Sequence, residues 1–280
     1  MKTLANTLAE EPFELVLSSG FFGFYAHVGV VLALEEAGLR PTAVGGSSAG
    51  ALVAGLWGAG LSARDLAKTA LALTRSAFWD TDPLWGLPFY LQTGLRRQVA
   101  QRLGVGHLAD QATGPGLLRG QAFHYLLNEL LARVGVRSFA DCPVPVRVSA
   151  FNLATQKTDV LSFGDLALAI RASCAFPGLF QPVRIGEHRY LDGGIADRSG
   201  ILTCSPEARV LFHHLPTNSP WRKILRRQNG IPNRARLHVL HEPALPRVSP
   251  FRLQMGQEAL RLAHARTLER LSEQAPRDAE

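Results

Sequence analysis

Two short apolar runs, each followed by a helical segment, constrain the fold more than any other feature of the sequence. The run Phe13–Leu17 is typical of a buried strand, and a helical segment follows from about Tyr25 to Ala37. A second short strand is predicted at Thr42–Gly45, and a second helix runs from Ala49 towards Trp57. Because parallel strands need a crossover between them, this order predicts an α/β fold with a mainly parallel sheet covered by helices.

The rest of the chain continues this pattern as a single domain over residues 1–280. The sequence contains no internal repeat and no linker long or polar enough to separate two domains. Ser62 and Asp65 form a capping-box-type helix start. The further predicted helices are Ala63–Leu73, Gln121–Val134, Leu166–Ala172 and Leu253–Leu271, and the further predicted strands are Val144–Asn152, Thr158–Ser162, Val210–His213 and Leu237–Leu240.

Composition excludes several classes of protein. Hydrophobic residues make up 46% and charged residues 19% of the chain, values that a disordered protein does not have. The three cysteines, Cys142, Cys174 and Cys204, include no C-x-x-C pair, so we expect a reducing compartment and no disulfide scaffold or zinc ribbon. The N-terminal residues lack the apolar core of a signal peptide, and no run reaches the roughly 20 apolar residues of a membrane span. We therefore expect a cytoplasmic protein.

The net charge of +7 is compatible with three kinds of partner. Basic residues are concentrated in a stretch over residues 222–236, which contains Arg222, Lys223, Arg226, Arg227, Arg234 and Arg236. Such a stretch suits a solvated loop, an anionic lipid surface or nucleic acid. Because no nucleic-acid-binding motif accompanies it, we expect no nucleic acid, and peripheral contact with an anionic membrane stays open beside the solvated loop.

A nucleophile-elbow pattern, G-x-S-x-G, occurs at Gly46-Ser47-Ser48-Ala49-Gly50. The string alone is equally compatible with a glycine-rich helix start. Its context favours the elbow, because it lies between a short apolar strand and a helix, where the chain must turn sharply and hold Ser48 in a strained, exposed conformation. Ser48 would then stand at a helix N-terminus, whose free N–H groups favour developing negative charge.

Two further blocks could complete such a site. The segment Ser18–Gly23 also joins a strand to a helix start, and its backbone N–H groups could form an oxyanion hole or bind a phosphate. It has no G-K-[ST] continuation, which excludes a P-loop. Asp192-Gly193-Gly194 has the composition of an ordinary turn. A serine nucleophile, however, needs a base to accept its proton, and Asp192 can serve as that base.

These blocks, in this order, resemble those of the patatin-like phospholipases. The elbow at Gly46–Gly50 is similar to the family's own, and Asp192–Gly194 is similar to its Asp-Gly-[Gly/Ala] block. The segment Arg171–Phe180 resembles the one that precedes the family's aspartate, and Gly29–Gly38 resembles its first helix. The resemblance covers about residues 13–197.

The resemblance implies a three-layer α/β/α sandwich that cleaves carboxylic ester bonds of lipids through an acyl-enzyme, without a metal or an organic cofactor. It implies a Ser–Asp dyad, with Ser48 as the nucleophile and Asp192 as the base. Around the dyad it places an oxyanion hole at Ser19, Gly20, Phe21 and Phe22, the elbow residues Gly46, Ser47, Ala49 and Gly50, and the block residues Gly193 and Gly194. Residues 198–280 are expected to add the remaining strands, the basic stretch and a C-terminal helix.

The block at Ser18–Gly23 departs from the family pattern Gly-Gly-Gly-x-[Arg/Lys]-Gly. Ser18 and Ser19 take the places of the first two glycines, and Phe22 takes the basic place. The ending Phe21-Phe22-Gly23 resembles the adipose triglyceride lipase branch instead. Because backbone N–H groups do not depend on side-chain identity, ester hydrolysis is still expected, without a strict preference for phospholipid.

Two alternative functions stay open at this point. An ordinary α/β-hydrolase would complete a Ser–Asp–His triad, and its histidine would come from His213, His214, His238 or His241. A catalytically weak lipid-binding protein on the same fold would account for Ser18, Ser19 and Phe22. Labelling of Ser48 by a fluorophosphonate would distinguish the second alternative, because only an activated serine reacts readily.

An aromatic segment over residues 78–92 is predicted to be a loop. It holds Trp79, Trp85, Phe89 and Tyr90 among prolines and glycines. Our hypothesis is that these rings help to form an acyl-chain pocket or a lid over the site.

Overall fold

Helices and strands alternate through most of the computed structural model, which describes residues 2–77, 79–81, 116–216 and 231–275. The helices are α1 (Leu4–Glu10), α2 (Phe24–Glu36), α3 (Ala49–Gly58), α4 (Ala63–Leu71), α5 (Gln121–Ala132), α6 (Leu166–Ser173) and α7 (Gly256–Ser272). The strands are β1 (Phe13–Leu17), β2 (Ala43–Ser47), β3 (Gly116–Leu118), β4 (Val146–Asn152), β5 (Lys157–Leu161), β6 (Gly178–Phe180), β7 (Val183–Ile185), β8 (His188–Asp192), β9 (Arg209–His214) and β10 (Leu237–His241).

The main sheet runs in the order β10-β9-β1-β2-β4-β8-β7, with β5 also paired to β4. The five strands from β10 to β4 are parallel to one another. Strands β5, β7 and β8 join by antiparallel pairing, and β3 pairs with β6 in a separate small sheet. The predicted α/β class with a mainly parallel sheet is therefore confirmed.

Strand β4 pairs with two strands in succession along one edge. Its first residues pair in parallel with β2, so that Ser149 lies opposite Ser47. Its last residues pair antiparallel with β8, so that Ala150 lies opposite Asp192. Strand β5 pairs with residues 148–152 and therefore occupies the other edge. The carboxyl ends of β2 and β8 consequently meet end to end, which brings the residue after Ser47 close to Asp192.

Strand β1 is buried on both faces. Leu15 and Leu17 pack in the large cluster formed with the helices, whereas Val16 points the other way and packs with Phe212 and Ile201. Side chains alternate between the two faces of a strand, which explains this division. A continuous apolar run such as Phe13–Leu17 is typical of a central parallel strand covered on both sides.

The ends of the predicted elements agree with the structure to within three residues, and short elements account for what the sequence does not predict. Strands β3, β6 and β7 have three residues each, too few to show a period of two. Strand β8 begins with the polar residues His188 and Arg189, and its pairing with β4 and β7 sets its conformation. Helix α1 is seven residues long, and the Thr3 side chain accepts from the N–H of Asn6 at its start.

Two predicted features lie mostly outside the described residues. The aromatic segment 78–92 is described only at 79–81, and the basic stretch 222–236 only from residue 231 onward. Within the latter, the Arg234 guanidinium donates to the carbonyl oxygens of Ser205, Pro206 and Ala208, so it holds neighbouring backbone together. None of the helices in the described ranges combines the length and the apolar character needed to cross a membrane.

Helix α2 packs against α7 with its backbone close to that of its neighbour. A Cβ added at Gly29 would overlap the carbonyl oxygen of Leu260 and would lie 2.9 Å from the backbone nitrogen of His264. Backbone atoms cannot move aside as the end of a side chain can. Gly29 therefore sets the distance between the two helices.

We predict that Gly29→Ala lowers the free energy of unfolding by about 1–3 kcal/mol, because the added methyl group forces α7 away from α2. Helix propensity alone predicts the opposite sign, a gain of about 1 kcal/mol. Urea unfolding followed by circular dichroism measures the difference. Unchanged or increased stability would contradict the close packing of these helices.

Candidate active site

Ser48 stands at the turn between β2 and α3. Its φ of 52° and ψ of −116° lie in a region that residues other than glycine occupy only under strain. Contacts on both sides hold this conformation. The Ser48 N–H donates to Oγ of Ser173 at 2.8 Å, and the Cys174 thiol donates to the Ser48 carbonyl oxygen at 3.3 Å. Ser173 Oγ in turn donates to the carbonyl oxygen of Ser149 at 2.7 Å, which ties the turn to β4.

The residues around Ser48 leave no room for larger side chains. A Cβ added at Gly50 would overlap the carbonyl group of Leu17 at the end of β1, and one added at Gly46 would lie 2.6 Å from the carbonyl carbon of Gly50. Ser47 and Ala49 are both buried. The G-x-S-x-G pattern therefore marks a sharp strand-to-helix turn packed directly on β1.

Asp192 ends β8 and faces Ser48. Its Oδ2 accepts a hydrogen bond from Ser48 Oγ at 2.6 Å, and its Oδ1 accepts from the N–H of Gly194 at 2.7 Å. Gly193 packs on β4, where a Cβ would overlap the carbonyl oxygen of Ser149. Both carboxylate oxygens are therefore engaged, and the one nearer the turn points at the serine hydroxyl.

Burial decides the electrostatics of this carboxyl group. Asp192 is 4% exposed, and the loss of solvent raises its pKa from 3.8 to about 6. The hydrogen bonds from Ser48 and Gly194 and the positive charge of Arg198 oppose this rise but do not cancel it. At pH 7 the group is mainly a carboxylate, and it is a stronger proton acceptor than an exposed aspartate.

The loop between β1 and α2 borders the same site. The Ser19 N–H donates to the carbonyl oxygen of Arg198 at 2.8 Å. The next residue with unusual backbone is Phe21, with φ of 53° and a side chain that is 42% exposed. Among the described residues, the N–H groups of Gly20 and Phe21 have no hydrogen-bond acceptor. A Cβ added at Gly194 would overlap Oγ of Ser19, so the loop touches the block that holds Asp192.

An apolar cavity, partly open to solvent, has Ser48 and Asp192 among its lining residues. Most of its wall comes from four helices, each of which contributes one stripe of side chains at helical spacing. These are Phe24 and Val28 of α2, Ala49, Leu52, Val53 and Leu56 of α3, Leu66, Thr69 and Ala70 of α4, and Phe123, Leu126, Leu127 and Leu130 of α5. Phe21, Phe22 and Phe176 line it beside the serine.

The four candidate triad histidines have other partners. Nδ1 of His213 lies 2.7 Å from Nδ1 of His27, and Nε2 of His238 lies 2.9 Å from Nη1 of Arg209. The rings of His214 and His241 lie side by side, 5.2 Å apart. Within the described ranges, neither Ser48 nor Asp192 hydrogen-bonds to a histidine.

The sequence does not predict three further interactions around the site. Ser173 lies in the segment that resembles the family's, but nothing in a sequence shows that its hydroxyl bridges Ser48 and β4. Arg198 brings a positive charge near Asp192 from six residues downstream, whereas the family pattern has its cation in the first loop. His27 and His213 are 186 residues apart, so only the fold brings them together.

Comparison with known families shows to which family the chain belongs. Residues 15–204 match the model of the patatin-like phospholipases. The chain belongs to this family. The match contains every residue of the predicted site, from Ser19 to Gly194, and it ends before β9.

The relatives of this patatin-like chain are longer proteins. An uncharacterized NTE family protein of Mycobacterium bovis is 29% identical over 183 residues, which cover 65% of this chain and 42% of that protein. A lysophospholipase of Emericella nidulans is 28% identical over 195 residues, covering 69% of this chain and 11% of that protein. This chain therefore spans less than half the length of these relatives.

Among solved structures, VipD from Legionella pneumophila has the same fold. The TM-score is 0.50 at 16% sequence identity, and the similarity covers 93% of this chain and 67% of VipD. The agreement at this low identity concerns the fold alone.

We predict that Asp192→Asn raises the free energy of unfolding at pH 8 by roughly 1–3 kcal/mol. The native pKa lies above the unfolded value, so the aspartate favours folding below about pH 4 and loses this contribution as the pH rises through 6. The neutral amide avoids that loss, and the difference between the two proteins should vanish near pH 4. Urea titrations at pH 4, 6 and 8 measure it.

Asp141→Asn is the control of opposite sign. Hydrogen bonds from Ser138 and Arg137 lower the pKa of Asp141, so its amide variant should be less stable than wild type at pH 8. A loss of stability for Asp192→Asn at pH 8 would show that the native state favours the buried carboxylate, which would contradict a raised pKa of Asp192.

Proposed function

We propose that this chain is a serine acyl hydrolase, a lipase or esterase that cleaves carboxylic ester bonds of lipids with Ser48 as nucleophile and Asp192 as base. The observation that carries the proposal is the 2.6 Å hydrogen bond from Ser48 Oγ to Asp192 Oδ2 in the wall of an apolar cavity. Membership of the patatin-like phospholipase family supports the reaction, and relatives named lysophospholipase support a lipid ester as substrate.

In the proposed reaction, Asp192 accepts the Ser48 proton while Ser48 Oγ attacks the ester carbonyl carbon. The tetrahedral intermediate collapses, the bond to the alcohol oxygen breaks, and protonated Asp192 returns the proton to the leaving alcohol. Water then attacks the acyl-enzyme, with Asp192 as base again, and releases the fatty acid. A pKa of about 6 suits this exchange at neutral pH.

The N–H groups of Gly20 and Phe21 are the donors that we assign to the oxyanion. They are unused among the described residues, and they lie on the loop that contacts the Asp192 block. Ser19 is dropped from the expected oxyanion hole, because its N–H is bonded to the Arg198 carbonyl oxygen. We assign Phe22 to the cavity wall instead, since its ring lines the cavity.

The cavity is where we place the acyl chain of the substrate. Its lining is apolar except for Ser48, Asp192, Cys174 and Thr69, so a hydrocarbon chain gains from leaving water there. The stripe of α3 leads away from Ser48 for two turns, from Ala49 to Leu56. An acyl carbonyl at Ser48 would therefore have its chain directed along α3 towards Leu56.

The location of the protein and its surface partners stay predictions. Peripheral contact with an anionic membrane, a cytoplasmic location and the absence of nucleic acid rest on the sequence. Arg234 gives no support to membrane contact, because its guanidinium is bonded to backbone carbonyl oxygens.

We predict that Ser48→Ala and Asp192→Asn each lower kcat/KM for p-nitrophenyl octanoate by at least about 10³-fold, because each removes one half of the dyad. In wild type, kcat/KM should rise with pH through about 6 as Asp192 ionises and then level off. Ser76→Ala, on an exposed turn, is the matched serine control and should behave like wild type. A histidine variant at position 213, 214, 238 or 241 that lost as much activity as Ser48→Ala would favour the triad instead.

We predict that Leu52→Trp lowers kcat/KM for a dodecanoyl ester at least tenfold more than for an acetyl ester. The indole would fill the cavity one turn of α3 beyond the nucleophile, where only a long chain reaches. Leu71→Trp is the control, because Leu71 is exposed on α4 and does not line the cavity. Equal losses on both esters would remove the acyl chain from this cavity.

A further inference from the structure

Two buried histidines lie next to the loop that carries the Gly20 and Phe21 N–H groups. His27 comes from the first turn of α2 and His213 from the end of β9, and both are almost completely buried. Their Nδ1 atoms are 2.7 Å apart, and Nε2 of His27 lies 2.8 Å from the carbonyl oxygen of Ser18. Among the described residues, neither ring hydrogen-bonds to Ser48 or Asp192, so the dyad does not account for them.

The contacts define where the ring protons are. A carbonyl oxygen only accepts, so Nε2 of His27 carries a proton and donates to Ser18. Burial lowers the pKa of His27 to about 4 and that of His213 well below its ordinary value, so both rings are neutral at pH 7. Neutral His27 then has no proton on Nδ1, and the proton between the two rings belongs to Nδ1 of His213. The two histidines are thus opposite tautomers in one ordered chain.

The hydrogen bonds of the two histidines end on the Ser18–Ser19 peptide group, which leads into the loop. The Ser18–Ser19 peptide is held at both ends, because its carbonyl oxygen accepts from His27 and its N–H donates to Arg198. The Ser18 hydroxyl accepts from the N–H of Leu215, and the Ser18 N–H donates to the His213 carbonyl oxygen. All polar groups of Ser18 are therefore engaged, and the next N–H along the chain is that of Gly20.

The residues after β9 also form the surface on which the loop rests. A Cβ added at Gly20 or at Gly23 would overlap Cδ1 of Leu215. The family pattern has a glycine at position 18, where this chain has a serine whose hydroxyl reaches the same segment. The loop therefore packs against residues 213–215 and hydrogen-bonds to them. These residues lie beyond the part of the chain that matches the family model.

We propose that His27 and His213 are positioning residues, a proton-ordered pair of neutral imidazoles that fixes the Ser18–Ser19 peptide and thereby aims the Gly20 and Phe21 N–H groups at the oxyanion. The catalytic half of this statement rests on the proposed function, whereas the structural half does not. His27→Phe keeps the ring volume and leaves both the Ser18 carbonyl and His213 Nδ1–H without their partner. His27→Gln retains an N–H donor that can reach the Ser18 carbonyl.

The structural half is tested by NMR on uniformly 15N-labelled protein. At pH 7, long-range 1H–15N spectra should show one buried ring protonated on Nε2 and one protonated on Nδ1, with a coupling between the two Nδ1 nuclei across the hydrogen bond. In His27→Phe, the Gly20 and Phe21 amide signals should shift and exchange faster, and in His27→Gln they should return towards wild type. Two rings of the same tautomer, or unchanged loop amides in His27→Phe, would overturn the pair as a positioning device, whether or not the protein hydrolyses esters.

The catalytic half is tested by steady-state kinetics on the same variants. We expect His27→Phe to lower kcat for p-nitrophenyl octanoate by about 10²-fold with KM within threefold, since a misplaced oxyanion donor acts on the transition state. His27→Gln should recover at least a tenth of wild-type kcat, and His188→Phe, on the exposed start of β8, should leave it unchanged. A loss carried by KM, or no recovery in His27→Gln, would overturn the positioning role. Wild type without any hydrolysis would instead overturn the proposed function and leave the NMR result to decide the pair.

Discussion

Strand β4 pairs with both β2 and β8 along one edge, and this pairing sets the positions of Ser48 and Asp192. Because β2 is parallel and β8 antiparallel to β4, their carboxyl ends meet, and Ser48 and Asp192 come within hydrogen-bond distance across 144 residues of sequence. The strain at Ser48 is maintained by the same strand, through Ser173 and the Ser149 carbonyl oxygen. The positions of Ser48 and Asp192 therefore depend on the three strands β2, β4 and β8, on a helix end and on the bridging hydroxyl of Ser173.

Burial gives this arrangement its chemistry. In water, an aspartate is too weak a base to take a serine proton efficiently, and removing it from solvent raises its pKa to about 6. The nearby charge of Arg198 limits the rise, so the group stays mainly ionised at neutral pH. The cost of keeping this buried group ionised appears as lost stability at neutral pH.

The sequence predicts the central strands well and does not predict the three-residue strands β3, β6 and β7, for physical reasons. The run Phe13–Leu17 is continuous and apolar, so β1 is predicted with its observed ends. The elbow and the Asp-Gly-Gly block can be recognised in the sequence because turns without side-chain space require glycines, and the dyad of Ser48 and Asp192 that they suggest stays a proposal. Ser173, Arg198 and the His27–His213 pair are not found, because each acts through a partner that only tertiary structure supplies. The hydrogen bond of the Ser19 N–H is not predicted for the same reason, since its acceptor is the Arg198 backbone.

Covalent trapping of the nucleophile is a direct test of the Ser48–Asp192 dyad. Wild type, Ser48→Ala and Asp192→Asn would each be treated with a fluorophosphonate that carries a long alkyl chain, and the modified peptide would be located by mass spectrometry. The Ser48–Asp192 dyad predicts a single adduct, on Ser48. This adduct should form rapidly in wild type, form far more slowly in Asp192→Asn and be absent from Ser48→Ala. No adduct on Ser48, or equal labelling rates with and without the Asp192 carboxylate, would contradict the Ser48–Asp192 dyad.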